Sequence, residues 1–581
     1  MTRPSDRFAT TGAATAPTFS CDGGTVFHLR GAGMAQLWAM AVDGSGARPM
    51  AELGEKVAFL RRAPKDDRLV FGIDAGGDER QQLWLADGET ATPLTEAPGV
   101  IHDFGAWSPD GRAIAYTAND RDEAHFDVVI QPIGGAARRL YQGTHQLAVS
   151  AWHPDGDRLL LLADEAEGDQ ALSVLHIETG AVHVVPHPRP AAFKSVRWAK
   201  DGTHLLGLSD GGGEFQALCR IDPLTGSVTQ WVSAPGADIE AWSLSPDGLQ
   251  LAIVENDRGY ARLRVGAAGR VVELSPGVVA DLAWSPDSAT LAFSASAPTR
   301  PPGLFLYDVA SASVRTLFQP AAPVAQPFTL VEWPNLEGAS VPGWFATPVG
   351  EPPQGGWPAV VWVHGGPASQ TRANWRPDMQ MLLNEGYAVL MPNVRGSTGY
   401  GRVSTARDDV GLRLDSVHDL AAAHHWLADQ PGIAPGRIGI MGQSYGGYMV
   451  LAAITEYPAL WKAAVDYYGI ADFTTLLADT GPWRRAHRSR EYGDPVRDEK
   501  LFARISPIHQ AERITAPLLV LHGIRDPRVP FGESEQIVGA LTARGHSVQF
   551  ERFSYAGHGF IRPADRCRSY AAVANFFRQT L

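Results

Sequence analysis

The feature that most limits how this chain can fold is a turn that returns at a fixed interval. It reads Trp107-Ser-Pro-Asp-Gly111, Trp152-His-Pro-Asp-Gly156, Trp198-Ala-Lys-Asp-Gly202, Trp242-Ser-Leu-Ser-Pro-Asp-Gly248 and Trp284-Ser-Pro-Asp287, with weaker copies at Ser20-Cys-Asp-Gly23 and Ala63-Pro-Lys-Asp66. Successive copies lie about 40–46 residues apart, the length of a four-stranded propeller blade. Each is followed by a short apolar run (AIAYTA, RLLLLA, HLLGLS, QLAIVE, TLAFSA) and then by a second hairpin signal such as LHIETGAVHVV. Pro-Asp-Gly closes a tight turn because glycine accepts a positive φ, and the alternating strand behind it buries one face. Seven copies predict a seven-bladed β-propeller over residues 8–317. A β-sandwich gives no reason for so regular a period, and the Gly-His…Trp-Asp signature of WD40 blades is absent.

After Pro320-Ala-Ala-Pro-Val-Ala-Gln-Pro327 the pattern changes. Apolar runs at Ala359–Val363, Ala388–Met391, Arg437–Met441, Ala463–Asp466 and Leu518–Leu521 read as buried parallel strands. Between them, 416–428 and 447–454 carry helical apolar spacing. This alternation predicts an α/β domain over residues 318–581. A formal charge of −13 argues against a nucleic-acid partner. No apolar run reaches the ~18 residues of a membrane helix, and the first residues lack the apolar stretch of a signal peptide. The three cysteines, Cys21, Cys219 and Cys567, show no metal spacing. A reducing cytoplasm is the expected compartment.

Inside the second domain, Gly442-Gln-Ser444-Tyr-Gly446 has the spacing of a nucleophile elbow. Glycine is frequent here, 61 of 581 residues, so the pentapeptide alone decides little. Its setting decides more: the predicted strand 437–441 runs into it and the helix-compatible YMVLAAI follows, the strand-turn-helix context that an elbow requires. A serine hydroxyl is a poor nucleophile without a positioned base. His558, in Tyr555-Ala-Gly-His-Gly-Phe560 after the predicted strand 548–553, is the best placed of eighteen histidines. In this fold the acid lies between serine and base. Asp526 follows Leu518-Leu-Val-Leu-His-Gly and fits, whereas Asp466, Asp472 and Asp494 lie farther from a strand-end loop preceding the histidine. The oxyanion donors expected for acyl transfer are the amides of Tyr445, next to the nucleophile, and of Gly366 in His364-Gly-Gly-Pro367.

With those residues placed, the second half resembles the prolyl oligopeptidase family of serine peptidases, and in particular its acylaminoacyl-peptidase branch. The matching pieces are HGGP at 364–367, NVRGSTGYG at 393–401, GQSYGGYM at 442–449, SPIHQAERITAPLLVLHG at 506–523, DPRVP at 526–530 and GHGF at 557–560. The family also carries a seven-bladed propeller, which agrees with the repeat count. The resemblance implies that Arg528 contacts a substrate carbonyl, that Phe473 and Trp483 in 467–483 line the S1 pocket, and that the propeller admits short peptides but not folded proteins. It also implies assembly into homo-oligomers. The dipeptidyl-peptidase branch reads a free amino terminus with a Glu-Glu pair, and no adjacent Glu-Glu occurs anywhere in this chain.

The expected activity is therefore a serine peptidase releasing N-acylated amino acids from short peptides. The alternatives are a broader oligopeptidase or dipeptidyl peptidase, an esterase with the same triad, or a propeller interaction protein with an inert hydrolase domain. His176, His183 and His187 lack an acidic or cysteine ligand pattern, and Gly211-Gly-Gly213 lacks a phosphate loop's strand-to-helix setting. No metal and no cofactor is expected.

Overall fold

In the computed structural model, which describes residues 4–166 and 169–581, the described residues form seven four-stranded antiparallel sheets and one eight-stranded sheet. The seven blades occupy residues 13–51, 57–93, 102–141, 147–184, 193–232, 238–271 and 278–318. Every blade is built from consecutive strands, so no strand is exchanged between the first blade and the last. The ring closes through packing of Ala13–Phe19 against the seventh blade and through the Ala16 amide, which donates to Asp281 Oδ2 at 3.0 Å.

The recurring turn explains its own composition. In Ser108-Pro-Asp-Gly111, the serine hydroxyl donates to Asp110 Oδ1 (2.6 Å) and accepts from the Ala113 amide (2.9 Å). Gly111 adopts φ 74°. In two copies the tryptophan ahead of the turn reaches the preceding blade: Trp107 Nε1 donates to the Arg61 carbonyl (3.1 Å), and Trp284 Nε1 to the Ser243 carbonyl (3.2 Å). Trp152 Nε1 instead donates to the Gly156 carbonyl of its own turn (3.0 Å). In the last copy Ser288 takes the positive-φ position at 63°, and its hydroxyl accepts from the Asp247 amide of the sixth blade (3.1 Å).

The second domain has strands β1 (Thr329–Pro334), β2 (Ser340–Ala346), β3 (Trp357–Val363), β4 (Ala388–Pro392), β5 (Ile433–Gln443), β6 (Ala464–Tyr467), β7 (Leu518–Gly523) and β8 (Val548–Phe553). Their order is β1-β2-β4-β3-β5-β6-β7-β8. β3 to β8 pair in parallel, and the β1–β2 hairpin joins the edge antiparallel. Helices Arg413–Ala428, Tyr445–Glu456 and Gly532–Ala543 contribute to one apolar core. Pro377–Asn384 and Pro563–Thr580 contribute to the other. Among the described residues no helix is long and apolar enough to cross a membrane.

Two boundaries differ from the sequence reading. Phe8, expected to open the propeller, sits on the helix Pro4–Ala9, which packs on Pro377–Asn384 and Pro563–Thr580. Phe8 and Ala9 are buried in the core of the second domain, because an apolar pair ahead of the first blade finds its cover there and not in the ring. Phe318, expected to begin the second domain, ends the last blade strand, with the Arg30 guanidinium 3.9 Å above its ring. The β1–β2 hairpin was not anticipated, since its strands are half-exposed and carry no continuous apolar run.

The turn chemistry is measurable. A Cβ at Gly111 meets nothing closer than 3.6 Å, so Gly111→Ala tests the left-handed backbone alone. It is expected to lower the unfolding free energy by about 1 kcal/mol, read as a reduced denaturation midpoint with unchanged slope.

Candidate active site

β5 delivers its last residue, Gln443, directly to Ser444, and the elbow helix Tyr445–Glu456 begins at the next residue. Ser444 has φ 59° and ψ −122°, a conformation that costs a non-glycine residue of order 1–3 kcal/mol. It persists because its surroundings leave no alternative. The Ser444 amide donates to the Tyr467 carbonyl at the end of β6 (2.9 Å), and its carbonyl accepts from the Tyr448 amide in the helix (3.0 Å). A side chain at Gly442 would collide with the Gly446 carbonyl, and one at Gly446 with the Val363 carbonyl. Beneath the elbow, the Tyr445 hydroxyl donates to Asp408 (3.0 Å) and accepts from the fully buried Arg413 (3.1 Å). Burial pushes Asp408 up to about 6 against the opposing pull of Arg413.

His558 lies in the loop after β8, and its Nδ1 is 2.7 Å from Asp526 Oδ2. With Nδ1–H donated to the carboxylate, Nε2 is left as the basic nitrogen. The other oxygen of Asp526 accepts from the Arg528 and Val529 amides (2.8 and 3.0 Å). Burial alone would raise the Asp526 carboxyl. The neighbouring imidazoles and their hydrogen bonds more than offset that and hold it well below the usual carboxylate range. Behind it, His522 on β7 is fully buried, with Nε2 3.0 Å from the Val529 carbonyl and Nδ1 2.7 Å from Ser534 Oγ.

The His364-Gly-Gly loop leaves β3 against the elbow. A Cβ on Gly365 would stand 3.3 Å from Ser444 Cβ, and Gly366 follows with φ 143°. Both rings of contact at His364 are occupied, Nδ1 toward the Gly365 carbonyl (2.8 Å) and Nε2 toward Ser397 Oγ (2.9 Å). Its burial lowers the pKa of the ring. Ser444, His558, Gly365, Gly366 and Arg528 all line one cavity of about 640 Å³. A strained serine, an imidazole held by a carboxylate and a glycine loop around one cavity are the parts that acyl transfer through a covalent intermediate requires.

Residues 373–581 match the prolyl oligopeptidase family, and residues 77–328 match the TolB β-propeller domain. The chain belongs to the prolyl oligopeptidase family. It is a serine peptidase. It is 28% identical to dipeptidyl aminopeptidase BIII of Pseudoxanthomonas mexicana over 94% of this chain and 84% of that one. To the acylamino-acid-releasing enzyme of Rattus norvegicus it is 27% identical, over 84% of this chain and 64% of the rat enzyme. The fold matches that of a puromycin-hydrolyzing peptidase from Mycobacterium tuberculosis with a TM-score of 0.86, at 22% identity over 100% of this chain and 96% of the other.

In this peptidase the propeller touches the site itself. Glu79, in the second blade, pairs with Arg528 Nε and with Arg484 Nη2 (2.7 Å for the latter). Burial would raise Glu79, but the two guanidiniums lower it. The loop carrying His558 is fixed likewise: the Gly557 amide donates to the Gly76 carbonyl (2.9 Å), and the Tyr555 hydroxyl to Glu55 (2.5 Å). The Arg562 guanidinium lies 3.4 Å over the Tyr555 ring. Glu55, Gly76 and Glu79 carry no sequence signal of this role, since they stand between 405 and 500 positions from their partners.

The two expected S1 walls are corrected. Phe473 is fully buried in the core among Tyr448, Tyr492 and Phe502 and does not line the cavity. Its amide is tied to Ser506 Oγ (3.1 Å), which turns the ring inward. Trp483 is buried in an apolar cluster with Phe126, Leu147 and Val149 of the propeller, so it fills the seam between domains. The apolar side chains that line the cavity include Trp362, Tyr468, Ile470, Leu476, Tyr492 and Val529.

Asp526→Asn is expected to reduce kcat by about 10³–10⁴-fold with the fold retained, because the amide favours the wrong imidazole tautomer. Asp526 stays ionised far into acid, so loss of its charge does not set the acid limb of kcat/KM in the wild type. The stability that Asp526 contributes is present above its unfolded pKa and is lost only as pH falls through its depressed folded value. For Glu79→Gln the expected change is a several-fold rise in KM. Glu79 also pairs with Arg484, both side chains only 21% exposed, so the variant should also melt at a lower temperature, because that guanidinium is left without its carboxylate; kinetics and a thermal melt check both.

Proposed function

We propose that this peptidase releases N-acylated amino acids from short blocked peptides. The Ser444 hydroxyl attacks the scissile carbonyl while His558 Nε2 takes its proton. The Tyr445 and Gly366 amides hold the oxyanion, and collapse of the tetrahedral species passes the proton to the leaving amine. Water then enters, gives its proton to His558, and hydrolyses the acyl-serine ester to free Ser444. Arg528 contacts Glu79 through Nε, so its terminal amino groups keep donors for a substrate carbonyl.

The observation that supports the acylated preference is which groups the catalytic cavity presents. Its lining includes Arg376, Arg488 and Arg528 and no carboxylate; their partners Asp378, Glu491 and Glu79 lie outside it. A free amino terminus therefore meets donors beside these guanidiniums and no carboxylate in the lining to receive it. A neutral acyl group offers them a carbonyl oxygen instead. The propeller covers this side of the site and fits selection of short chains.

A dipeptidyl-peptidase reading has in its favour the similarity to dipeptidyl aminopeptidase BIII and one structural observation. An adjoining chamber of about 340 Å³ between the domains is lined by Asp164, Asp210, Glu214, Asp238 and Asp409, with Lys194 and Arg402 opposing them. Burial pushes Asp210 and Asp238 upward. Ala368 and His487 line both spaces, so a free amino group would find its carboxylates only beyond the catalytic cavity.

Acetyl-phenylalanyl anilide, its free aminoacyl counterpart and a free dipeptidyl anilide separate the two. The acylated substrate is expected to lead in kcat/KM by at least about tenfold, the size of one good charge-assisted contact. A lead by the free dipeptidyl anilide would contradict the proposal and support the second reading.

A further inference from the structure

Two buried carboxyls near the site take no part in the chemistry above. Asp466 on β6 is fully buried. Its Oδ1 accepts from the Gly469 amide at 2.8 Å, and its Oδ2 has no hydrogen-bond partner. It lies in register with Gly442 on β5 and Val520 on β7. Side chains at Gly447 in the elbow helix or at Gly469 would strike it, so the carboxyl is wedged between that helix and the turn after β6. Glu533, in the first turn of Gly532–Ala543, is also buried. Its Oε2 accepts from the Ala471 and Asp472 amides (2.9 and 2.8 Å), and its Oε1 from the Thr475 hydroxyl.

The two groups seize opposite ends of one short segment. Asp466 fixes Gly469, and Glu533 fixes Ala471, Asp472 and Thr475. Tyr468, Ile470 and Leu476, at and between these points, face the catalytic cavity. Tyr468 is held at φ 42°, with its ring 4.7 Å from that of His558. Other anchors hold the segment through its backbone and Thr475. The Tyr468 amide donates to the Leu521 carbonyl (2.9 Å), the Ile508 amide to the Ala471 carbonyl (3.1 Å), the Phe473 amide to Ser506 Oγ (3.1 Å) and Gln536 Nε2 to Thr475 Oγ1 (2.9 Å). Asp466 and Glu533 are its two buried carboxyl anchors.

We propose that Asp466 and Glu533 are positioning residues that pin the 468–476 wall, and that they set discrimination among side chains on the acyl side of the scissile bond, not the reactivity of Ser444. This rests on the peptidase reading of the site. Asp466 acts as the neutral acid: with Oδ2 unpartnered, an ionised form leaves buried charge uncompensated. Burial pushes its pKa up to about 7, against the pull of the His522 imidazole on β7 and the Gly469 amide. His522 is the charged or titratable group acting on it; the elbow helix and the turn present only Gly447 and Gly469. Discrimination should therefore weaken as pH rises through that range. Glu533 is likewise pushed up to about 7 by burial, with Asp472 adding to the shift and the Thr475 hydroxyl and two amides opposing it.

The test compares acetyl-Phe with acetyl-Ala, each as anilide and as p-nitrophenyl ester, alongside p-nitrophenyl acetate, which has no side chain for the wall to read. Variants are Asp466→Ala, Asp466→Asn, Glu533→Ala and Glu533→Gln. In the alanine variants the Phe/Ala ratio of kcat/KM should fall about tenfold through KM, with p-nitrophenyl acetate turnover within about threefold of wild type. The amide variants should keep the ratio at pH 6, and Asp466→Asn should hold it at pH 9, where wild type loses it. An unchanged ratio in the alanine variants, or acetate turnover falling in parallel with it, overturns the proposal. If the alanine variants do not fold, wild type and Asp466→Asn decide: ratios that are flat with pH in both overturn it. Wild type active on esters and inert on anilides would sink the peptide substrate instead, while the ester ratios still read the wall.

Discussion

The structure turns on one residue held where the backbone resists going. Ser444 sits at φ 59° because β5 ends and the elbow helix begins without a spacer. The Gly446 carbonyl leaves position 442 room only for hydrogen, and the Val363 carbonyl at the end of β3 does the same at 446. The sheet order then follows as a requirement. β3 must flank β5 on one side to bring the His364-Gly-Gly loop to the serine. β6 must flank it on the other to receive the Ser444 amide on the Tyr467 carbonyl. The strain is stored by this packing and presents the hydroxyl at the sheet's edge.

The second dependency crosses the domain boundary. His558 is oriented by Asp526 from within its own domain, but its loop hangs on Gly76 and Glu55 of the propeller. Arg528 is shared with Glu79. None of these exposed or half-exposed pairs contributes much to stability alone. Together they tie two catalytic-side loops to the propeller, at and just ahead of its second blade, so the propeller acts as part of the scaffold of the site.

Much of this was legible in the residues because the signals are local. A turn of Ser-Pro-Asp-Gly makes its hydrogen bonds within five or six positions, so its recurrence exposes the blades directly. The elbow, the strand-end Asp526 and the glycine-flanked His558 are also local to strands that read clearly. What stayed hidden depends on long separations or on which way a ring turns. Phe8 looks like the first residue of a blade until its core is seen in the other domain. Phe473 and Trp483 have the apolar character of pocket walls, yet one is drawn into the core and the other into the seam between domains. Glu79 and Glu55 bear no mark in sequence of the loops they hold, and Asp466 reads only as a polar residue in an apolar strand.

The central claim is that one serine, strained into place by the sheet, is the nucleophile. Treating the folded protein with a fluorophosphonate and mapping the adduct by peptide mass spectrometry tests it most directly. The account predicts a single phosphonylated site at Ser444, formed in the native protein and not after denaturation. A native protein unlabelled at Ser444, or labelled at another residue, would contradict it.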